Sequence, residues 1–303
     1  MNILFRDLEK IFGKNIYFDE TLAKYSWFNL GGPAKILFKP DNTDQLIKFL
    51  KLTKDSLKIN CLGAGSNTLI RDAGFNGAII KLSPKFSYIE EVDENLLEVG
   101  AATLDKTLSR FAADNSIAGF EFLSCIPGSV GGAIKMNSGC YGDEISKILI
   151  SIKAVDFRGN IIEINKDDIN FFYRGNNLSE DLIYLSAIFK KIRSDKKLIN
   201  EKIDKFSKQK KLSQPSQIKT CGSTFKNPKD KKAWQLIKNS NCAEKSFGKA
   251  SISSKHSNFF VNDGGASSED IEKLINFVRK QVLEKQNIKL DLEIKIIGEK
   301  NNL

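Results

Sequence analysis

Two glycine-rich stretches have the clearest chemical content in this sequence. Gly63-Ala64-Gly65-Ser66-Asn67 follows a short apolar run ending at Leu62. Glycines there leave backbone N–H groups bare enough for phosphate oxygens to approach, and Ser66 and Asn67 add hydroxyl and amide donors. No Gly-Lys-Ser/Thr follows, so this is not a Walker loop, and the third glycine of the dinucleotide fingerprint is missing. Taken alone, such a turn is more commonly a plain tight turn than a ligand loop. The second stretch, Pro127-Gly128-Ser129-Val130-Gly131-Gly132-Ala133, is followed by Asn137-Ser138-Gly139-Cys140-Tyr141-Gly142. Backbone this bare either packs against something flat or phosphorylated or forms the bulges and corners of a sheet. A diphosphate-linked cofactor would satisfy both stretches at once.

Other reactive side chains are scarce. His256 is the only histidine, which excludes a multi-histidine metal cluster and admits a histidine triad only with His256 as its base. Cys61, Cys125, Cys140, Cys221 and Cys242 are scattered, odd in number and without a C-x-x-C pair, so neither a disulfide frame nor a thiolate zinc site is expected. The opening MNILFRDLEK places charges where a signal peptide needs an apolar stretch. Runs such as Ala78 to Ile80 and Ile148 to Ile152 fall far short of the roughly 20 residues that span a bilayer. A cytoplasmic protein without a bound metal is expected.

These groups must be positioned by short β-type runs (Ala34 to Phe38, Ile59 to Leu62, Ala78 to Leu82, Leu96 to Val99, Ile148 to Phe157, Ile161 to Ile164, Leu182 to Phe189) interspersed with helix-like segments near Thr43 to Thr53 and Leu104 to Asn115. That mixture is neither a helical bundle nor a sandwich. Arg158-Gly159-Asn160 between two β-branched stretches predicts a hairpin, and so a sheet that is not purely parallel. Ser267 three residues before Asp270, ahead of Ile271, Leu274, Ile275, Val278 and Val282, predicts a capped helix running to about Lys285. The alternation Leu290, Leu292, Ile294, Ile296 then describes a strand with one buried face.

The 41% hydrophobic and 28% charged residues exclude global disorder. The formal charge is +10, and between Lys190 and Lys219 eleven Lys or Arg face three acids. Within that stretch Leu198, Ile199, Ile203 and Phe206 predict an amphipathic helix from Asp195 to Lys211, with the main domain boundary near residue 200. A solvated lysine face is the plain reading; nucleic-acid binding is the sharper one. Against the latter, the 47 basic residues include only seven arginines, the residue that base edges and phosphate forks favour.

Taken in order, GAGSN, IPGSVGGA with a following Asn and GCYG, FFYRGN, CGSTFKNP, HSNFFVN and LDLEIKIIG resemble the landmarks of the UDP-N-acetylenolpyruvoylglucosamine reductase family over nearly the whole chain. The uninterrupted GSTFKNP resembles the family's shorter subtype. The resemblance implies an α+β fold: a two-subdomain FAD-binding fold of the vanillyl-alcohol-oxidase type (1–83 and 84–195), followed by a C-terminal α+β substrate domain (196–303). It also implies non-covalent FAD, which agrees with the lone histidine lying outside both glycine stretches, and NADPH as co-substrate. The cofactor-binding residues it implies are Gly63, Ala64, Gly65, Ser66 and Asn67 in the first stretch, and Ser124, Ile126, Gly128, Ser129, Gly131, Gly132 and Ala133 in and before the second.

In the family NADPH reduces the flavin and is replaced by the enolpyruvyl sugar nucleotide of peptidoglycan precursor synthesis, whose β-carbon receives hydride. Charge develops on the adjacent carboxylate and a proton must reach the α-carbon. By the resemblance Arg174 binds that carboxylate, Ser223 delivers the proton, and Glu293 assists at the enolate, donating a hydrogen bond if its site is dry enough to keep it protonated. Without the resemblance these residues read as a surface salt bridge, a turn hydroxyl and a solvated strand face. Asn227, Lys211 and Tyr141 match substrate contacts. Three departures stand out: Asn176 replaces the serine usual after Tyr-Arg-x, Lys295 stands where arginine is frequent, and Cys221 replaces a small residue before Gly222. The expected partners are the UDP-sugar and NADPH, with no nucleic acid, no membrane and a monomeric chain. The rivals are another FAD-dependent oxidoreductase of the same fold and a non-catalytic lysine-rich nucleic-acid-binding protein.

Overall fold

Side-chain caps start the helices Thr43–Thr53 and Ser268–Gln286, and the helices bury apolar residues on one face. The computed structural model describes residues 3–54 and 56–300. The first helix, α1 (Ile3–Phe12), places Leu8 and Phe12 on one buried face. Asn42 starts α2 (Thr43–Thr53) by accepting a hydrogen bond from the Gln45 N–H at 2.9 Å, and Leu46, Phe49, Leu50 and Thr53 face inward. Next come α3 (Asp105–Asp114), the short α4 (Val130–Lys135) that leaves the second glycine stretch, and α5 (Lys196–Ser213). On α5 Ile199 and Phe206 are buried, whereas Leu198, expected on the same face, is exposed because it precedes the apolar stripe by one position. After α6 (Ala233–Asn239), α7 (Ser268–Gln286) begins with the reciprocal Ser267/Asp270 capping box, both bonds at 3.0 Å, and stops at Asn287 in the left-handed region.

The strands follow the expected runs closely. A four-stranded sheet has the order Ile16–Thr21, Pro33–Phe38, Phe75–Ile80, Ile59–Cys61, the last pair parallel. A five-stranded sheet runs Ile161–Asn165, Leu149–Asp156, Leu182–Lys190, Leu96–Gly100, Ile89–Glu91 with antiparallel neighbours. The turn at Gly159 is the expected hairpin, with Asp156 Oδ1 accepting from the N–H groups of Arg158 and Asn160.

The chain divides into two compact units assembled from non-contiguous segments. One holds Met1–Phe18, Ile36–Ala64 and Gly77–Gln209; the other holds Asp19–Lys35, Gly65–Asn76 and Lys210–Leu303. This division differs from three contiguous domains bounded at residues 83 and 195, and its last boundary lies within α5, at Gln209, not near residue 200. The reason lies in the second unit, where strand Thr68–Ile70 pairs in parallel with Lys295–Ile297, a partner that local sequence could not announce. Regular pairing in the expected Leu290–Ile296 strand is confined to Lys295–Ile297, preceded by a bridge between Leu292 and Phe225. The alternation therefore reports burial, with Leu290 and Ile294 inside, more than hydrogen bonding.

Each unit has its own apolar core. In the first, one cluster gathers Phe12, Phe38 and Phe49, the last two stacked at 4.2 Å, and a second surrounds α3 and α4 with Phe120, Phe122 and Phe189. The second unit packs α6 and α7 on Phe225, Phe260, Leu290 and Ile294.

Candidate active site

In the first unit the two glycine stretches meet. A Cβ added at Gly63 would lie 3.0 Å from Ser129 Oγ, so the first turn approaches the second to within a methyl group. The Lys81 ammonium donates to the Gly63 carbonyl; burial and then neighbouring Lys39 hold its pKa below the usual lysine value. Further along the turn, in the second unit, Gly65 has φ +70°, and a Cβ there would fall 1.8 Å from the Tyr25 carbonyl oxygen, so no other residue fits. Among the described residues the N–H groups of Gly63, Ala64 and Gly65 donate to no protein acceptor.

The second stretch is laid against residues 101–105 by hydrogen bonds from Val130 N to Thr103 O, Gly131 N to Ala101 O and Asp105 N to Gly128 O at 2.9, 2.9 and 3.2 Å. Gly128 and Ser129 keep their N–H groups without an acceptor among the described residues. Two bare turns with open amide donors, meeting at the small Ser129 hydroxyl, suit a diphosphate, so the residues present fit FAD. Of the other expected cofactor residues, Ser124 donates its hydroxyl to Glu121 O at 2.7 Å, a local turn bond, while Gly132 and Ala133 lie within α4 and Ile126 precedes it. Asp105 was not expected here. It is fully buried at the start of α3, neither carboxylate oxygen finds a partner among the described residues, and burial pushes its pKa up to about 8. Ser109 one turn later is likewise buried with its hydroxyl unsatisfied, so a short polar face of α3 points inward in a segment that reads as ordinarily amphipathic.

Arg174 occupies a two-residue turn with Tyr173, between Phe171–Phe172 and Gly175–Asn176. Its φ is +61°, a conformation costing about 1–2 kcal/mol for a residue with a Cβ, and its guanidinium lies 4.9 Å from the Tyr173 ring centroid. Asn137, buried, donates from Nδ2 to Phe172 O at 3.3 Å. Asn176 donates from Nδ2 to Ile134 O at 3.0 Å and to Lys135 O at 3.4 Å, and accepts from Leu178 N at 3.0 Å. The residue replacing the expected serine is thus engaged with the end of α4. Tyr141, also at positive φ, stacks on Phe206 at 4.6 Å and remains 40% exposed, so it combines packing with an accessible edge.

In the second unit Ser223 and Glu293 come together through the backbone. Ser223 is bridged to Phe259, and Thr224 between them donates its N–H to Asn258 O at 2.8 Å and accepts from Glu293 N at 2.9 Å. The Asn258 carboxamide grips Phe225 at both ends, Nδ2 to Phe225 O at 2.8 Å and Oδ1 from Phe225 N at 3.0 Å. Asn67, expected to serve a cofactor, donates to Glu293 O at 3.0 Å and accepts from Lys295 N at 2.9 Å. Cys221 is accommodated as a buried thiol whose Sγ approaches Thr68 O at 3.4 Å; burial pushes its pKa up to about 12. Asn227 is exposed and its Oδ1 accepts from Ala233 N at 2.9 Å, capping α6. Lys211 is exposed on α5, and its carbonyl receives the Lys255 ammonium. His256 accepts from Asn258 N on Nδ1 at 3.3 Å and packs edge-on to Phe259, and burial lowers its pKa. Arg174 belongs to the first unit, Ser223 and Glu293 to the second.

Two family descriptions match the chain. Residues 34–165 match the FAD binding domain, and residues 214–297 match the UDP-N-acetylenolpyruvoylglucosamine reductase C-terminal domain. With the two bare turns, the first match defines a flavin-dependent oxidoreductase. The UDP-N-acetylenolpyruvoylglucosamine reductase of Pelagibacter ubique (strain HTCC1062) is 50% identical over 285 residues, covering 93% of this chain and 94% of that protein. That of Rickettsia canadensis (strain McKiel) is 43% identical over 281 residues, 92% of this chain and 95% of that protein. The crystal structure of the reductase from Thermus caldophilus superposes with a TM-score of 0.81 at 29% identity, covering 93% of this chain and 98% of that one. The chain belongs to the UDP-N-acetylenolpyruvoylglucosamine reductase family.

Proposed function

We propose that Arg174, Ser223 and Glu293 carry the charge and proton chemistry of this reductase. Its reaction is that of the family: NADPH-driven, FAD-dependent reduction of the enolpyruvyl group of UDP-N-acetylglucosamine enolpyruvate to UDP-N-acetylmuramate, in peptidoglycan precursor synthesis. FAD, when bound, supplies the hydride. The open N–H groups of Gly63, Ala64, Gly65, Gly128 and Ser129 would hold its diphosphate. Ser66, Asn67, Ser124, Ile126, Gly131, Gly132 and Ala133 complete the proposed cofactor set.

Arg174 binds the substrate carboxylate as a fixed fork whose attraction strengthens as negative charge accumulates there. Ser223 gives its proton to the α-carbon; a free serine is a poor acid, so the transient alkoxide must be stabilised by its surroundings. Glu293 presents its carboxyl to the same developing charge. One observation carries this reading: Ser223 and Glu293 stand on neighbouring backbone, joined through the hydrogen bond from Glu293 N to Thr224 O. Asn227 retains a donor end not engaged by the described residues, in keeping with a substrate contact, and Lys211 and Tyr141 are proposed beside it.

Anaerobic stopped-flow with Ser223→Ala tests the assignment. Flavin reduction by NADPH should stay within about twofold of wild type, while reoxidation by the enolpyruvyl nucleotide slows by several orders of magnitude. Equal loss in both halves would refute the role of Ser223.

Functional division into FAD-binding subdomains (1–83, 84–195) and a substrate domain (196–303) belongs to the same proposal, supported by the extents of the two family matches. So does a monomeric cytoplasmic enzyme that does not bind nucleic acid, supported by its nucleotide substrates and the arginine-poor charge of α5. A different substrate on the same FAD fold would leave the match over 214–297 unexplained, and a lysine-rich binding protein would leave both matches unexplained.

A further inference from the structure

We propose that Asn176, together with Asn137, is a positioning residue that fixes where Arg174 presents its guanidinium, using α4 as the rigid reference. The inference rests on the reading of Arg174 as the carboxylate-binding residue. The hairpin carrying Arg174 has only two paired positions, Phe171 with Asn176 and Phe172 with Gly175. A ladder that short does not hold its own shape in water. Phe172 and Tyr173 are half exposed, so packing does not fix the turn either.

The open end of the hairpin is closed by Asn170 and Asn177, with Asn177 N donating to Asn170 O at 3.2 Å and Asn177 Oδ1 accepting from Asn170 N at 2.9 Å, and Phe171 packs on the core. Nearer the turn, each strand has a side-chain tether. Asn137 Nδ2 holds the Phe172 carbonyl on the strand entering the turn. Asn176 Nδ2, on the strand leaving it, donates to the Ile134 and Lys135 carbonyls in the last turn of α4, where Ile134 O also accepts from Asn137 N at 3.1 Å. Asn176 Oδ1 closes a second bond to Leu178 N, so its carboxamide cannot rotate without losing both. The left-handed backbone at Arg174 is of the kind that persists only where surrounding bonds over-determine it. Since α4 starts at the second glycine stretch, the arginine turn is registered to the cofactor turn through six helical residues.

The test compares Asn176→Ala, Asn176→Asp, Asn176→Ser and Arg174→Ala in flavin-loaded enzyme. Calorimetry reads the affinity of the oxidised protein for the enolpyruvyl nucleotide and for UDP-N-acetylglucosamine, which lacks the carboxylate. Stopped-flow reads the two half-reactions. Asn176→Ala and Asn176→Asp should lose about tenfold affinity for the enolpyruvyl nucleotide and none for UDP-N-acetylglucosamine, with reoxidation slowed by about 10–100-fold and NADPH reduction unchanged. Asn176→Ser, which keeps a donor for the α4 carbonyl, should recover most of the loss. The Asp and Ser variants differ in whether the side chain can donate, so that pair decides the matter even if the alanine variant does not fold. Equal loss for both nucleotides would reduce Asn176 to a purely structural residue and overturn the proposal. So would unchanged Asn176 variants beside an Arg174→Ala enzyme that shows the carboxylate-specific loss. If Arg174→Ala shows no such loss, the assignment of Arg174 itself fails and the positioning role fails with it.

Discussion

The first unit exposes its chemistry on turns, whereas the second holds its chemistry on paired backbone. In the first, bare amides at Gly63, Gly128 and Ser129 and a guanidinium on a left-handed residue stand out from short turns, with a carboxyl at Asp105 buried against its preference. In the second, Ser223 and Glu293 lie on strand-like segments joined by Thr224 and pinned by Asn258 and Asn67. Groups that must approach a cofactor's phosphates need backbone without side chains, and turns supply that at the expense of strain. Groups that must hold a fixed separation from each other need a ladder, which supplies registry at little strain.

The contrast can be broken experimentally. The largest effect is expected in the second unit. Asn258→Ala leaves the buried N–H and C=O of Phe225 without their partners, which should destabilise the protein by about 2–4 kcal/mol in urea unfolding. A loss under 1 kcal/mol would mean that the pins are incidental. A pH-dependent effect of comparable size is expected in the first unit. The pKa of Asp105 is raised above its unfolded value to about 8, so the folded chain binds the proton more tightly. Stability is then highest below the unfolded pKa and falls as pH rises toward 8. Asp105→Asn removes the ionisation, and its advantage over wild type should grow by about 1.4 kcal/mol per pH unit between pH 5 and 7.5. A pH-independent difference would show the carboxyl to be solvated or paired. The smallest effect concerns strain: Arg174→Gly should stabilise the fold by about 0.5–1 kcal/mol while abolishing rapid reoxidation by substrate. A lowered Tm in that variant would show that the turn is not strained, and the contrast between the units would lose its first half.

Much of this was legible in the sequence because it was written in short-range patterns. The capping box at Ser267 and Asp270, the hairpin at Gly159 and the strand runs depend on neighbours within a few residues, and the structure shows them close to where spacing put them. The glycine stretches were readable as turns with bare amides, although only the structure shows Gly63 against Ser129 and the Tyr25 carbonyl excluding any side chain at Gly65. What escaped is long-range. Asn67 read as a ligand donor, and nothing in the sequence showed that its carboxamide also holds the Glu293 carbonyl. Asn137, Asn176 and Asn258 are polar residues without periodicity, and their role appears only once the distant backbone they grip is in place. Asp105 looked like any acid in the first turn of a helix, and its burial depends on what packs over α3. The assembly of the second unit from three separate segments left no compositional trace.

The parallel pairing of Thr68–Ile70 with Lys295–Ile297 sets an order of events during synthesis. Arg71 donates to the Gly298 carbonyl across 227 positions of sequence, so Thr68–Ile70 has no partner until the Lys295–Ile297 segment has been translated. The Asn67 grip on Glu293 can close only then. A chain that stops within α7 therefore contains both glycine turns but neither Glu293 nor the strand that pairs with Thr68–Ile70.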